Sequence, residues 1–514
     1  MYFKTMKSLK PEAPLALHRV VFIAAILLGL GWGSSLRGDI SLSKIFTDHM
    51  VLQQNSTVKV TGTAEPSQKL AVKFSQQVSK VTADAQGDWV ATIQTPVAGG
   101  PFELEVAAEE GEPKVVLSNV MVGDVWVCAG HNMEWPVSKS LNPDTEIELS
   151  KNFPSLRLFS VDHSASVVAL TDFAKVDPWR ICSPETVSEF SATAYFFGRE
   201  LSKGLKTEEQ AIDTPIGLID SSWEWSSCEA WASRSSMDAV ESLAPMLKHW
   251  DENDEFPTDK NRPGNLYNGM IAPMAGFPIR GIIWYQGEAN HGRAHQYATL
   301  FPTLISDWRK TFGNEKLPFY FVQLAPYRYQ DESPQGLPEI WDAQLKTLKS
   351  VPHTSMVVTT DIGDSEEIHP KNKQEVGRRL SLIALSNCYD DTEANTGEES
   401  TNQIVSSGPI YSSMSIEKDR IRILFEHAKG LGVRNEDEGL DCFLICGEDR
   451  KFYPAQAVID GEAVKVSSDK VSKPVAVRFV WDDSAEPNLI NGAGLPASPF
   501  RTDDFKLLSE GRDF

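Results

Sequence analysis

The sequence predicts an α/β core, a parallel sheet with helices on both faces, set between two β-rich segments. Three observations predict it. Between about Gly123 and Tyr389, short continuous apolar runs alternate with amphipathic stretches, the pattern of a doubly wound layer. From Asp39 to about Val122 the apolar residues instead alternate singly with polar ones, as in antiparallel strands with one face in water. The same β-texture returns from about Ile410 to Phe514.

Taken in order, residues 1–38 read as a targeting segment. Lys4, Lys7, Lys10 and Arg19 precede an apolar run from Val20 to Leu30, and Gly31, Gly33, Ser34 and Ser35 follow. The run is short for a membrane span and has the basic, apolar, small order of a secretory signal; an uncleaved N-terminal anchor is the alternative. Export to the periplasm or the cell exterior is the corresponding expectation.

In the 39–122 β-domain, Val58–Val60, Leu70–Phe74, Trp89–Ile93 and Phe102–Val106 are strands, separated by turn signals such as Gln86-Gly87-Asp88 and Gly99-Gly100-Pro101. In the 123–400 domain the strands are Ile216–Ile219, Gly281–Tyr285, Phe319–Gln323 and Met356–Thr360. The helices are Ala194–Leu205, Ala294–Thr311, Trp341–Ser350 and Lys373–Leu385. A polar, acidic stretch over 390–405 reads as a linker. The 401–514 β-domain contains strands at Ile421–Phe425 and Val475–Val480.

The formal net charge of −22 disfavours nucleic acid as a partner and adsorption to anionic membranes. The six cysteines, at 128, 182, 228, 388, 442 and 446, are scattered. That is not a disulfide framework, and the lone C-x3-C of Cys442 and Cys446 is a weak metal signal.

In such a sheet a ligand binds beyond the carboxyl ends of the strands, and three segments carry chemistry there. The first is Val125–Val137, VWVCAGHNMEWPV, a strand ending in a small-residue turn at Gly130 followed by His131, Asn132 and Met133. The second, Trp284-Tyr285-Gln286-Gly287-Glu288-Ala289-Asn290, follows another strand. Gln286 and Asn290 can donate hydrogen bonds to a developing oxyanion, and Gly287 permits close backbone approach. The third is Ile362–Pro370, IGDSEEIHP. A catalytic His needs a carboxylate to orient it. Glu366 lies three residues before His369, with Glu367 a competing candidate.

Together these segments resemble the bacterial sialate O-acetylesterase family of the SGNH-hydrolase superfamily. Ile45–Gln53, Trp126–Val137, Pro215–Trp231, Asn268–Pro273, Trp284–Asn290, Ile368–Leu380 and Asn488–Thr502 carry the resemblance over nearly the whole chain beyond residue 38. It implies an SGNH-like three-layer α/β/α domain with flanking β-domains. It also implies hydrolysis of O-acetyl esters on sugars by a Ser–His–acid triad, with no metal or cofactor and an acetylated carbohydrate or glycan as partner.

The carry-over is uneven. His369 matches the base, Glu366 the acid position by spacing, and Gln286, Gly287, Glu288 and Asn290 the third block. The family's first turn reads Gly-Gln-Ser-Asn-Met. Here Gln-Ser has become the single His131, one residue shorter, so the nucleophile has no counterpart. In the second block the family has Gly-Gly-Thr after Ser-Ser-Trp, whereas Ser221-Ser222-Trp223 is followed by Glu224-Trp225-Ser226. Both departures fall on groups the reaction needs, the hydroxyl and an oxyanion-hole N–H. Ser221, Ser222, Ser226 or Ser227, His131 itself, or a metal on His131 and His369 are the routes by which a site could be rebuilt.

Three readings follow: an esterase with an impaired or rebuilt site, a non-catalytic carbohydrate-binding pseudo-enzyme, or a purely structural exported protein. In the second, Trp135, Trp223, Trp225, Trp231 and Tyr285 offer stacking faces near the site, with His369, Gln286 and Asn290 as its polar groups.

Overall fold

The computed structural model describes residues 39–109, 111–206, 213–253, 255–329, 333–389, 404–435 and 439–512. The targeting segment expected over 1–38, and residues 390–403 of the expected linker, lie outside the described residues.

The chain opens with two antiparallel layers. Strands β1 (Ser41–Leu42), β3 (Thr57–Thr63) and β6 (Asp88–Gln94) form one; β4 (Lys69–Phe74), β5 (Gln77–Thr82) and β7 (Gly99–Ala108) form the other. Alternation decides their faces: Val58, Val60, Trp89, Ala91 and Ile93 of the first layer are buried, as are Leu70, Val72 and Phe74 of the second. The short β2 (Val51–Gln53) pairs parallel with β8 (Lys114–Gly130).

β8 joins this region to the core. Its first half pairs antiparallel with β7 through Val122, and from Asp124 it pairs parallel with β11 (Ile216–Ser222). The boundary expected at 122/123 thus falls inside an unbroken strand.

The core sheet runs β10-β9-β11-β8-β12-β13-β14, with β9 (Leu156–Val161), β10 (Val176–Ile181), β12 (Gly281–Trp284), β13 (Phe319–Val322) and β14 (Thr354–Val357). All of these are parallel except β10, an antiparallel edge. Two core strands, β9 and β10, escape a reading of the sequence. Arg157 and Ser160 interrupt the first, and Pro178 with two charged residues disguises the second as a loop, which an edge tolerates.

Helices cover both faces. Trp126 of β8 meets Phe197 of the Ala192–Leu205 helix, ring centroids 5.1 Å apart, while Trp284 of β12 meets Trp308 of the Ala294–Thr311 helix at 5.5 Å. Helix Lys373–Ala384 lies against Ala192–Leu205 so closely that a Cβ on Gly377 would sit 2.6 Å from the Phe197 amide nitrogen. One continuous apolar core extends from Ile40 to Phe500.

The described C-terminal strands form two four-stranded antiparallel sheets and a two-stranded one, and their region reaches back to the core: Ser498 Oγ donates to Gln323 Oε1 just past the end of β13. All six thiols are free. No described helix is long and apolar enough to cross a membrane.

Candidate functional site

Beyond the carboxyl ends of β8, β11 and β12 three loops converge with the 361–372 loop. Each turn is dictated locally. Gly130 adopts φ +114°, and a Cβ there would lie 2.5 Å from the Tyr285 carbonyl. Only glycine lets β8 end so close to the loop after β12. The Asn132 amide then donates to that same carbonyl at 3.0 Å.

His131 is 1% exposed. Its Nδ1 accepts the backbone N–H of Trp225, so in the neutral ring the proton sits on Nε2. That Nε2 has no partner among the described residues. Trp225 occupies the left-handed region at φ 56°, the conformation for which glycine is preferred. A tryptophan here thus holds a backbone shape that glycine takes more readily. The neighbouring N–H, of Glu224, donates to the Glu134 carboxylate. Both amides that could line an oxyanion hole are taken by side chains of the first block.

His369 is buried, its ring stacked on Trp135 at 4.6 Å and 5.4 Å from the ring of His131. Burial pushes its pKa below the usual value of 6.5; His131 and Lys373 act the same way, and Glu288 and Glu224 oppose them. The expected acid, Glu366, turns outward to Arg328 at 2.7 Å and is 71% exposed. The carboxylate nearest His369 Nδ1 is instead Glu367, at 3.7 Å. Glu367 also accepts the His369 backbone N–H, which holds it beside the ring. On the other side Glu224 lies 3.7 Å from Nε2.

Beneath the histidines, Asn132 bridges two buried charges. Its Nδ2 donates to Glu288 Oε1 at 2.6 Å, and its Oδ1 accepts from Lys373 Nζ at 2.6 Å. Burial pushes Lys373 down to about 7, against the pull of Glu288 and Glu367.

Gln286 and Asn290 do not face the pocket as expected. Both are fully buried. Gln286 donates to Ser226 O and Asn290 Oδ1, and Asn290 donates to Glu229, itself paired with Arg293 at 2.8 Å. They fasten the 225–231 loop and offer nothing to an oxyanion. Gly287 packs on Leu324, whose Cδ1 a Cβ would meet at 2.9 Å. The four serines are also committed: Ser221 Oγ to Met270 O, Ser222 to Asp220, Ser226 to Trp223 O and Ser227 to Asn261 O. Among the described residues no cluster of three His, Cys, Asp or Glu could hold a metal.

The cavity at these loops measures about 230 Å³. His131, His369, Trp135, Pro136 and Glu224 line it, joined by Glu134, Lys139 and Glu189. Trp225, half exposed, borders His131 at 5.2 Å between ring centroids, whereas Trp223 stacks on His163 and Trp231 and Tyr285 are core. Sequence reasoning passed over Glu134, Lys139, Glu189 and Lys373. Glu134 and Lys373 stand within quoted motifs, three residues after His131 and four after His369, and were open to notice; Glu189 carries no motif.

Comparisons with known proteins bear on the family and the fold. The family model described as carbohydrate esterase, sialic acid-specific acetylesterase, matches residues 191–385. That stretch contains Glu224, Gln286 and His369 and leaves out the Gly130–Met133 turn. The mouse sialate O-acetylesterase is 31% identical over 399 residues, spanning 67% of this chain and 72% of the mouse protein. The human enzyme is 28% identical over 500 residues, 89% of this chain and 91% of its own length. The crystal structure of a carbohydrate acetylesterase from Xanthomonas citri superposes with a TM-score of 0.80 at 34% identity, covering 91% of this chain and all of that one. With an SGNH-type α/β/α core between β-regions, the chain belongs to the sialate O-acetylesterase family of carbohydrate esterases.

Proposed function

We propose that the protein holds an acetylated carbohydrate at the His131–His369 cavity without the Ser–His turnover of an acetylesterase. One observation carries this reading: the Trp225 N–H is bonded to His131 Nδ1. Serine esterases need a hydroxyl beside the base and free N–H donors where negative charge develops. Here an imidazole stands beside the base and accepts the donor's proton. Glu224 near His369 Nε2 crowds the nitrogen that would take a proton from an attacking hydroxyl. What remains is a concave, partly aromatic cavity with directed polar groups, the composition of a small-ligand site.

Titration calorimetry of the purified protein against acetylated and deacetylated sugars tests the proposal. Preferential binding of the acetylated forms with little hydrolysis supports it. Brisk ester hydrolysis that vanishes in a stable His369→Ala protein would overturn it.

One observation favours a second reading. The His131 Nε2–H is unpartnered, with the His369 ring 5.4 Å away. It could polarise an acetyl carbonyl while His369 activates water. Slow hydrolysis lost in both His131→Phe and His369→Ala would favour this alternative.

A further inference from the structure

The cavity has a pronounced charge pattern. Three of its walls are carboxylates, Glu134, Glu189 and Glu224, and its one ammonium is Lys139, which lies over the Trp135 ring at 5.0 Å. No guanidinium lines it. The other nearby cations are turned elsewhere: Lys260 Nζ donates to the Glu224 carbonyl, and Lys373 is fully buried behind Asn132. His369 adds no compensating charge near neutral pH, since burial first and His131 second keep its pKa low. His131 is buried beside it, its Nδ1 bonded to the Trp225 amide and its Nε2 buried without a partner among the described residues.

We propose that this cavity selects uncharged acetylated sugars and rejects the carboxylate of sialic acids. The proposal rests on the carbohydrate-binding reading above and narrows it to a substrate class. A sialate carboxylate is anionic at neutral pH and needs a cation or a cluster of donors to replace its water. Here it would enter among like charges, with Lys139 alone to offset them. An uncharged sugar meets no such repulsion.

The experiment compares an O-acetylated sialic acid methyl glycoside with its own carboxyl methyl ester, which differs in charge and little in shape. A methyl glucoside carrying an O-acetyl group serves as the neutral reference, and calorimetry is run at low and high salt. The expected result is about tenfold weaker binding of the free acid than of its ester at low salt. The gap should shrink as salt screens the repulsion. Glu189→Gln and Glu224→Gln should each narrow it from the protein side; both residues are exposed, so neither substitution threatens folding. Equal binding of the free acid and the ester would overturn the proposal while leaving carbohydrate binding intact. Failure of every acetylated sugar, the neutral reference included, would overturn the carbohydrate-binding reading and this one with it.

Discussion

The Trp225 amide donates to His131 Nδ1, and that bond fastens the loop after β11 to the turn after β8. The two loops are coupled, so a substitution in either will be felt in the other.

His369 reports that coupling. Burial and then His131 hold its pKa below 6.5. Replacing His131 by Ala should raise the His369 pKa toward the ordinary value without reaching it, because burial persists. A histidine NMR titration reads this directly; an unmoved His369 resonance would show that the two rings are electrically independent.

The same shift predicts a pH dependence of stability. An unfolded chain protonates His369 near the usual value of 6.5, the folded one only at lower pH. Stability from this group is therefore complete above about 6.5 and declines as pH falls toward the folded value. In urea denaturation between pH 5 and 8, His369→Gln should flatten the acid-side decline.

Lys373 acts in a higher window. Its folded pKa, near 7, lies below the ordinary 10.5, so stability should rise as pH rises between those values. Lys373→Met should remove that slope, while leaving Asn132 Oδ1 without its donor at a cost of about 1–3 kcal/mol. An undiminished slope in the variant would assign the pH dependence to another group.

Glu229 joins Asn290 to Arg293 in the interior. Glu229→Ala should destabilise the fold by about 1–3 kcal/mol, since it removes the acceptor of buried Asn290 and the carboxylate partner of the half-buried Arg293. Glu229→Gln should cost less. Chemical denaturation of both variants measures the difference.

Restoring Gln-Ser in place of His131 should free the Trp225 N–H yet give little esterase activity, because Glu224 still lies beside His369 Nε2. Adding Glu224→Gly should raise the rate by more than the product of the separate effects. Trp225→Gly should exceed Trp225→Ala in stability by about 1 kcal/mol, given the left-handed backbone there. Family-like rates from Gln-Ser alone would show that Glu224 does not obstruct the base.

Much of this was legible in the chain. Strands such as Ile282–Trp284 and Phe319–Val322 are apolar at every position because both faces are covered. β9 and β10 were not, since polar residues at a sheet margin look like loop. Motif spacing brought the four loops together, but spacing does not fix which way a carboxylate turns. Glu366 and Glu367 are neighbours in sequence, and only the fold sends one to Arg328 and the other to His369. Gln286 and Asn290 look like donors in sequence. Their partners on the 225–231 loop, Ser226 and Glu229, come from a segment about sixty residues earlier.

The unbroken run of β8 from Lys114 to Gly130 has a consequence for how this protein can be rebuilt or can diverge. There is no hinge at which the amino-terminal layers could be exchanged as a cassette. Any recombination that replaces them must splice into a strand hydrogen-bonded on both sides, eight residues upstream of the turn that presents His131. The amino-terminal layers and the His131–His369 cavity are thus built on one strand, and a truncation meant to isolate the core would cut the strand that aims its first loop.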